Sequence, residues 1–193
     1  ANDLFAGNLG ENAVFDVVSL NAAAAMTAFD LATSDAFDFE SWLAEALKED
    51  IGPGDFTTLA TIPDNAIGKA QLIVKDNGVF AGVSIAEKII HAFDPSLKMT
   101  TLLQDGALVQ KGDIAFYVEG KSQSITTIER LVLNVMQRMS GIATETHRLT
   151  QMIAHTSCKL LDTRKTTPNF RFFEKEAVRI GGGINHRYAL YDM

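Results

Sequence analysis

The sequence predicts a front part of mixed α+β structure, followed by the first strand, loop and helix of a parallel α/β arrangement. With 193 residues and 47% hydrophobic composition, the chain is long and apolar enough to bury a core. Between residues 105 and 120, glycine turns separate runs of alternating apolar residues, which is typical of short strands. After residue 158, a strand-like run is followed by a loop and a helical pattern, which is the order of a parallel α/β unit.

The elements of the front part follow from capping residues and apolar spacing. Asp38 can cap a helix whose apolar side chains recur at helical spacing, and the run Gly52-Pro53-Gly54 ends it. Strand-like runs at 69–74 and 97–103 enclose a helical pattern at 84–93. We therefore expect an α+β layout in this part of the chain.

The segment 105–120 resembles the hammerhead half-motif of biotinyl and lipoyl carrier domains. Such domains carry their modified lysine at a hairpin tip, whereas the nearest lysine here, Lys121, follows Gly120 and precedes Ser-Gln-Ser. A non-catalytic carrier module, with biotin or lipoate on Lys121, is one alternative function.

A long amphipathic helix is predicted next, capped by Ser124 and ended by Gly141, and a second helix from about 144 to 154. The parallel α/β unit would then consist of a strand at 159–162, a loop, and a helix at 172–180. Because the chain changes character between residues 141 and 158, a domain boundary is expected there.

Charge is distributed unevenly along the chain. Residues 1–47 carry eight acidic residues and no lysine or arginine, whereas residues 121–193 carry eleven basic against six acidic residues. The overall net charge of −7 argues against a general nucleic-acid binder. A local excess of cations suits a small anionic ligand such as a phosphate or carboxylate, although a solvated basic face has the same composition.

Several other classes of protein are disfavoured. No run of about 18 apolar residues could span a bilayer, and the start of the chain lacks the pattern of a secretory signal, so we expect a soluble cytoplasmic protein. Cys158 is the single cysteine, which excludes a disulfide within the chain, and its apolar neighbours predict a buried thiol. The four histidines show no ligand spacing, so no metal site is expected in this portion of the chain.

Two short basic clusters, 162–168 and 181–187, carry the chemistry that the sequence suggests. Each follows an apolar run, and ligands of parallel α/β units sit at the loops after the strands. Arginine offers a planar fork that matches a carboxylate or phosphate, and lysine adds a compact charge. Asp162 is expected to be the internal counter-ion of Arg164 and Lys165, or a loop cap. Taken singly, each cluster could equally be an exposed basic turn.

The order of these motifs resembles the signature of quinolinate phosphoribosyltransferases over about residues 38–193. The segments that carry the resemblance are Leu161-Asp-Thr-Arg-Lys-Thr-Thr-Pro168, Glu174-Lys175-x-Ala177-Val178, Gly-Gly-Gly-x-Asn-His-Arg187 and Tyr191-Asp192. Upstream segments agree in order and spacing: Glu49-Asp50-x-Gly52-x-Gly54-Asp55-x-Thr57-Thr58, Gly78-x-x-Ala81-Gly82, Glu129-Arg130-x-x-Leu133-Asn134 and Met139-Ser-Gly-Ile-Ala-Thr144.

The resemblance implies an α+β sandwich N-terminal domain followed by the start of an open α/β, TIM-like barrel that is truncated here. The domains would be an acidic Ala-rich extension at 1–37, the sandwich with a long dimer-facing helix at 38–143, and the beginning of the barrel at 144–193. The family condenses quinolinate with phosphoribosyl pyrophosphate, using Mg²⁺, and yields nicotinate mononucleotide, pyrophosphate and CO₂ in NAD biosynthesis.

The resemblance also implies roles for particular residues. Arg164 and Lys165 would be catalytic and would bind substrate, and Thr163, His186, Arg187 and Arg130 would complete the substrate-binding set. Arg130 would cross the interface of a homodimer or higher homo-oligomer. The acidic residues that handle Mg²⁺ would lie beyond Met193. Several preorganised cations suit a dicarboxylate and a polyphosphate that must be held together while pyrophosphate leaves.

The sequence departs from the family pattern in a few places. Asn169-Phe170 stands where the family usually has Gly-Leu, and we expect the turn to survive because asparagine tolerates a left-handed backbone. The chain ends before the family's Lys-Asp-Asn-His-like motif, so we expect an incomplete barrel that is inactive alone. A related phosphoribosyltransferase for nicotinate or another aromatic acid is the remaining alternative, since a monocarboxylate needs fewer cations.

Overall fold

A computed structural model describes residues 37–191, so the predicted extension at 1–37 lies almost entirely outside the described residues. The described residues contain five helices and five strands in a mixed order, with two helices at the start and two at the end. The helices are α1 Phe39–Ile51, α2 Phe56–Thr61, α3 Val83–Phe93, α4 Ser122–Ile153 and α5 Arg171–Ile180. The strands are β1 Ile67–Ile73, β2 Gly78–Val79, β3 Lys98–Thr101, β4 Leu108–Val109 and β5 Ile114–Lys121.

The strands form two antiparallel sheets. β5 is the central strand of the larger sheet, with the order β1-β5-β3, and it pairs Gly120 with Gly68 and Glu119 with Lys98. β2 and β4 form the smaller sheet. The apolar face of β5 packs into a core that it shares with α3 and α4, where Ala115, Phe116 and Val118 are buried. The predicted α+β layout of the front part is confirmed.

An aromatic cluster joins α1 to α5. Asp38 caps α1 as predicted, because its carboxylate accepts a hydrogen bond from the Ser41 N–H at 3.0 Å. Phe37, just before the cap, stacks on Phe172 with 4.3 Å between ring centroids, and Trp42 packs on Phe173 at 4.3 Å. These contacts hold the first described helix against the helix that follows the basic loop.

The long helix α4 does not end at Gly141, so the prediction of two helices there is wrong. Small residues in the middle of α4 instead allow β2 and the residues after it to pack closely against the helix. The hydroxyl of Ser140 accepts from the Ala81 N–H at 3.0 Å, and that of Thr144 accepts from the Val79 N–H at 2.9 Å. These bonds satisfy backbone N–H groups at the end of β2. Glycine inside a helix costs roughly 1 kcal/mol, and the packing of β2 against α4 outweighs that cost.

The start of α4 also differs from the prediction. The helix begins at Ser122, and Ser124 lies within its first turn, where the hydroxyl donates to Asp94 Oδ2 at 2.6 Å and ties α4 to the end of α3. Lys121 is the last residue of β5 and pairs with Ile67 of β1. Lys121 is therefore not at a hairpin tip, and the carrier alternative lacks the lysine position that it requires.

The segment after α4 is less regular than predicted. In place of a strand at 159–162, the described residues show one parallel bridge between Leu161 and Ile184. Cys158 is exposed, so the expectation of a buried thiol is wrong; it follows the turns after α4, where no element covers it. The barrel and the domain limits at 38–143 and 144–193 remain predictions. Within residues 37–191, no helix combines the length and apolar character needed to cross a bilayer.

Candidate active site

The two basic clusters of the sequence leave the fold side by side. Leu161 and Ile184 pair in parallel, with the Ile184 N–H donating to Leu160 O at 2.9 Å and the Asp162 N–H donating to Ile184 O at 3.1 Å. Because the two segments run in the same direction, the residues that follow them emerge at one edge. The segment 163–165 and the segment 186–187 therefore begin next to each other.

Beneath this edge lies a buried ion pair. Lys175 of α5 donates from Nζ to both carboxylate oxygens of Asp162, each at 2.7 Å, and the two side chains are 1% and 5% exposed. The His186 N–H also donates to Asp162 Oδ1, at 2.8 Å. The prediction that Asp162 is the counter-ion of Arg164 and Lys165 is wrong, because its ionic partner is Lys175 of α5.

Asn185 completes this network. With its amide oriented to satisfy its neighbours, Asn185 donates to Asp162 Oδ2 at 2.8 Å and to the Lys175 carbonyl at 2.9 Å, and it accepts from the Tyr188 hydroxyl at 2.9 Å. Burial raises the pKa of Asp162 above its usual value, and the Lys175 ammonium and the His186 N–H oppose that rise. We call Asp162, Lys175, Asn185 and the His186 N–H the carboxylate clamp.

A second carboxylate anchors the far end of the basic loop. Glu174, buried in the first turn of α5, accepts from Arg138 of α4 at 2.7 and 2.9 Å. Glu174 also accepts from the Thr167 N–H at 3.1 Å and from the Thr167 hydroxyl at 2.7 Å. Asn169 adopts a left-handed backbone with φ of 60°, which confirms the expectation that asparagine can replace glycine at this turn. The loop is thus tied to both α4 and α5.

A third cation connects the two loops directly. Arg171 donates from Nε to the Thr166 hydroxyl at 3.0 Å and from Nη1 to the Tyr188 carbonyl at 2.6 Å. Sequence reasoning assigned no role to Arg171, Arg138 or Lys175. The available signal was the position of Lys175 among the apolar residues of an amphipathic helix, where a lysine needs a buried partner.

The glycine run 181–183 brings the second loop close to α4. A side chain at Gly181 would lie 2.4 Å from the Ala143 carbonyl oxygen, and one at Gly183 would lie 2.9 Å from Thr146. The chain can therefore pass this close to the helix only without side chains at these positions. This contact determines how close to α4 the segment 184–187 begins.

Five of the six predicted site residues lie on the two adjoining segments. Thr163, Arg164 and Arg187 are half-buried, whereas Lys165 and His186 are exposed. The Thr163 hydroxyl accepts from the Lys165 N–H at 3.1 Å, which is a contact within the loop. The structure thus brings these five residues to one edge of the fold.

Arg130, the sixth predicted residue, lies on α4 and not on the two adjoining segments. Its Nε is 3.7 Å from Asp50 at the end of α1, and its side chain is 76% exposed. Along α4 it is eight residues from Arg138, which is about 12 Å. Hydrogen bonds from Thr58 hold the pKa of the neighbouring Asp55 below its usual value, and the charge of Arg130 adds to that effect. Arg130 therefore faces solvent beside two carboxylates, away from the other five.

Carboxylates near the basic loops are already paired with cations. Asp162 is paired with Lys175, and Glu174 is paired with Arg138. Across residues 37–191, no group of three or more His, Cys, Asp or Glu side chains is arranged to hold a metal ion.

Comparison with known proteins gives the same assignment as the motifs. The family model for the N-terminal domain of quinolinate phosphoribosyl transferase matches residues 55–140, and the model for the C-terminal domain of that family matches residues 142–193. The chain belongs to the quinolinate phosphoribosyltransferase family. The junction between the two family domains falls inside α4, which continues through it.

Relatives in this family come from plants and bacteria. Quinolinate phosphoribosyltransferase [decarboxylating] 1b of Nicotiana tabacum is 47% identical over 158 residues, which is 81% of this chain and 45% of the relative. A probable nicotinate-nucleotide pyrophosphorylase [carboxylating] of Bacillus subtilis is 39% identical over 144 residues, 75% of this chain and 50% of the relative. The chain thus spans about half the length of these curated relatives.

Solved structures show the same likeness. NadC from Streptococcus pyogenes superposes with a TM-score of 0.77 at 37% identity, covering 79% of this chain and 54% of that chain. A human nicotinic acid phosphoribosyltransferase matches with a TM-score of 0.53 at 16% identity, which shows a likeness of fold alone. Some plant relatives are named as chloroplastic or mitochondrial, so a cytoplasmic location remains a prediction.

Proposed function

We propose that this family member transfers the phosphoribosyl group of phosphoribosyl pyrophosphate to quinolinate, with decarboxylation, to give nicotinate mononucleotide, pyrophosphate and CO₂. The observation that carries the proposal is the parallel bridge between Leu161 and Ile184, because it starts both basic segments at one edge. Family relatives named for this reaction support the choice of substrates. The whole reaction is proposed for the complete enzyme, of which this chain corresponds to about half.

The proposed reaction requires the protein to bind anions and to stabilise the pyrophosphate leaving group. In the proposed reaction the pyridine nitrogen attacks the ribose carbon that bears pyrophosphate, and pyrophosphate leaves. The carboxylate beside that nitrogen is later lost as CO₂ from the quaternised ring; the bonding electron pair stays on the ring carbon, which takes up a proton from water. Arg164, His186 and Arg187 would orient the dicarboxylate, and Lys165 would be shared with the phosphoribosyl group. Fixed cations of this kind stabilise charge that develops on departing pyrophosphate without reorganising in the reaction step.

The described residues do not fit as magnesium ligands, because Asp162 and Glu174 are each committed to a cation. We propose that Mg²⁺ enters bound to phosphoribosyl pyrophosphate and meets acidic residues beyond Met193. No step described for the present residues depends on the ion.

Replacing Arg164 tests the assignment. Arg164→Ala in the whole enzyme should abolish formation of nicotinate mononucleotide and weaken quinolinate binding at least tenfold. The melting temperature should stay unchanged, because the contacts that anchor the loop are made by Asp162 and Thr167 on either side of Arg164. Arg179→Ala is the matched control, since Arg179 is exposed and pairs with Glu176 one turn away on α5. Full activity in Arg164→Ala would refute the proposal.

We also propose that the enzyme works as a homodimer or higher homo-oligomer in which Arg130 serves the partner's site. Its exposure, and its position on α4 about 12 Å from Arg138, support a role outside its own subunit. Arg130→Ala and Arg164→Ala should each be inactive, and mixing the two subunits should restore about a quarter of the activity, through heterodimers with one intact site. Failure of every mixture to regain activity would contradict this arrangement.

A further inference from the structure

The Asp162 carboxylate joins the two basic segments at their start, next to the backbone bridge between Leu161 and Ile184, whereas Arg171 joins them further along. Asp162 lies immediately before Thr163 in the chain, and it accepts from the backbone of His186 at 2.8 Å and from the Asn185 amide at 2.8 Å. Each of these donors belongs to the segment that carries Arg187. This side chain therefore extends the connection beyond the backbone bridge, up to residues 185 and 186 of the second segment.

Stability alone does not account for a buried ion pair at this position. Taking both charges out of water is costly, and apolar residues of similar volume are often equally stabilising. The directional contacts are different, because an apolar side chain at position 162 could not accept from the His186 N–H. What the carboxylate clamp supplies beyond packing is the geometry of the segment 184–187.

We infer that Asp162 is a positioning residue that sets the separation between the Thr163–Lys165 and His186–Arg187 segments, and that this separation makes the site select a 1,2-diacid over a monoacid. The inference rests on the proposed function and deepens it. Quinolinate carries carboxylates on neighbouring ring carbons, so binding both requires cations at a fixed spacing. Nicotinate presents one carboxylate, and its binding tolerates a shift of one segment relative to the other.

Two double variants distinguish the hydrogen bond from the His186 N–H to position 162 from the effects of the buried charges and of fold stability. Asp162→Asn with Lys175→Met removes both charges and keeps an oxygen that can accept from the His186 N–H. Asp162→Leu with Lys175→Met removes the same charges but has no acceptor. The Asn185 amide can turn over to meet the new asparagine, because its nitrogen then faces the Tyr188 hydroxyl at 2.9 Å.

Titration of the whole enzyme with quinolinate and with nicotinate is the readout, beside a thermal melt of each protein. In the leucine variant we expect quinolinate affinity to fall at least tenfold and nicotinate affinity to change less than threefold. In the asparagine variant both affinities should stay within threefold of the parent. Equal ratios of quinolinate to nicotinate affinity in the two variants would overturn the inference and leave Asp162 a merely structural residue.

A milder change covers the case in which the leucine variant does not fold. Asn185→Ala removes one donor to Asp162 and leaves the buried ion pair intact, so we expect a loss of about threefold in quinolinate affinity alone, roughly that of one weakened hydrogen bond. An unchanged affinity ratio in this variant would equally overturn the inference. A parent enzyme that binds no quinolinate would refute the proposed function first, which distinguishes the two failures.

Discussion

The close packing of the glycine run 181–183 against α4 can be tested with a single substitution. Gly181 has φ of −73°, which any residue adopts, so an alanine there should stabilise the fold slightly if backbone conformation were the only concern. The added methyl group would instead lie 2.4 Å from the Ala143 carbonyl oxygen and 2.7 Å from Thr146 Cβ. We therefore predict that Gly181→Ala destabilises the protein.

The magnitude follows from what the methyl group meets. At 2.4 Å it would be roughly 1 Å inside ordinary contact distance, and the nearest atom belongs to the backbone of α4 and not to a flexible side chain. Overpacking typically costs about 1–3 kcal/mol, and we expect about 3 kcal/mol here because the helix backbone cannot move aside. For a chain of this size that corresponds to a fall of roughly 6–12 °C in melting temperature.

The control isolates backbone strain from crowding. Gly112 has φ of 101°, and a methyl group added there would meet no atom within 4 Å, so Gly112→Ala should cost only the roughly 1–2 kcal/mol of a left-handed residue. Gly182, with φ of 91° and its nearest atom at 3.7 Å, should behave like Gly112. Melting followed by circular dichroism decides the matter: if Gly181→Ala melts at or above Gly112→Ala, close approach to α4 is not what requires glycine at position 181.

Three further outcomes are expected. Phe173→Ala, at a fully buried position in the aromatic cluster, should lower the free energy of unfolding by about 3–5 kcal/mol and shift the fluorescence of the chain's one tryptophan; unchanged emission would contradict the packing. Arg138→Leu leaves the charge of Glu174 buried and should cost about 1–3 kcal/mol in urea unfolding, and a neutral result would mean that Glu174 finds another partner. Because a hydrogen bond from Ser124 lowers the pKa of Asp94, its contribution to stability is present above the unfolded value of 3.8 and is lost as pH falls through the folded value. Melts of the parent and of Asp94→Asn should therefore differ at about pH 6 and converge towards pH 2, and a gap that widens in acid would contradict this sign.

Much of the local structure could be predicted from the sequence because its signals are local. The cap at Asp38 and the stop at Gly52 bound α1, and the apolar spacing of α5 gave its limits within one residue. That the two basic segments begin next to each other also followed, because parallel segments end at the same edge, whereas the roles of their residues stay predictions. These inferences needed only residues close together in the chain or a general rule of α/β folds.

The remaining features depend on partners far away in the sequence. The continuity of α4 depends on Val79 and Ala81, whose backbone groups bond to hydroxyls in the helix, and nothing near Gly141 indicates that contact. The partner of Asp162 is Lys175, thirteen residues later, and only the folded chain shows that the nearer lysine is not the counter-ion. Whether a short apolar run becomes a strand is likewise decided by its neighbours in space, as the single bridge at Leu161 illustrates.

The unbroken helix α4 restricts how the two family domains can move relative to each other. Its 32 residues make a rod of about 48 Å that begins at the central sheet and ends beside the glycine run. Both family domains are built on this rod, so neither can swing about a hinge at their junction without bending it. A force applied to Arg130 on the first half of α4 would therefore reach the segment 181–187, which packs against the second half of the same helix.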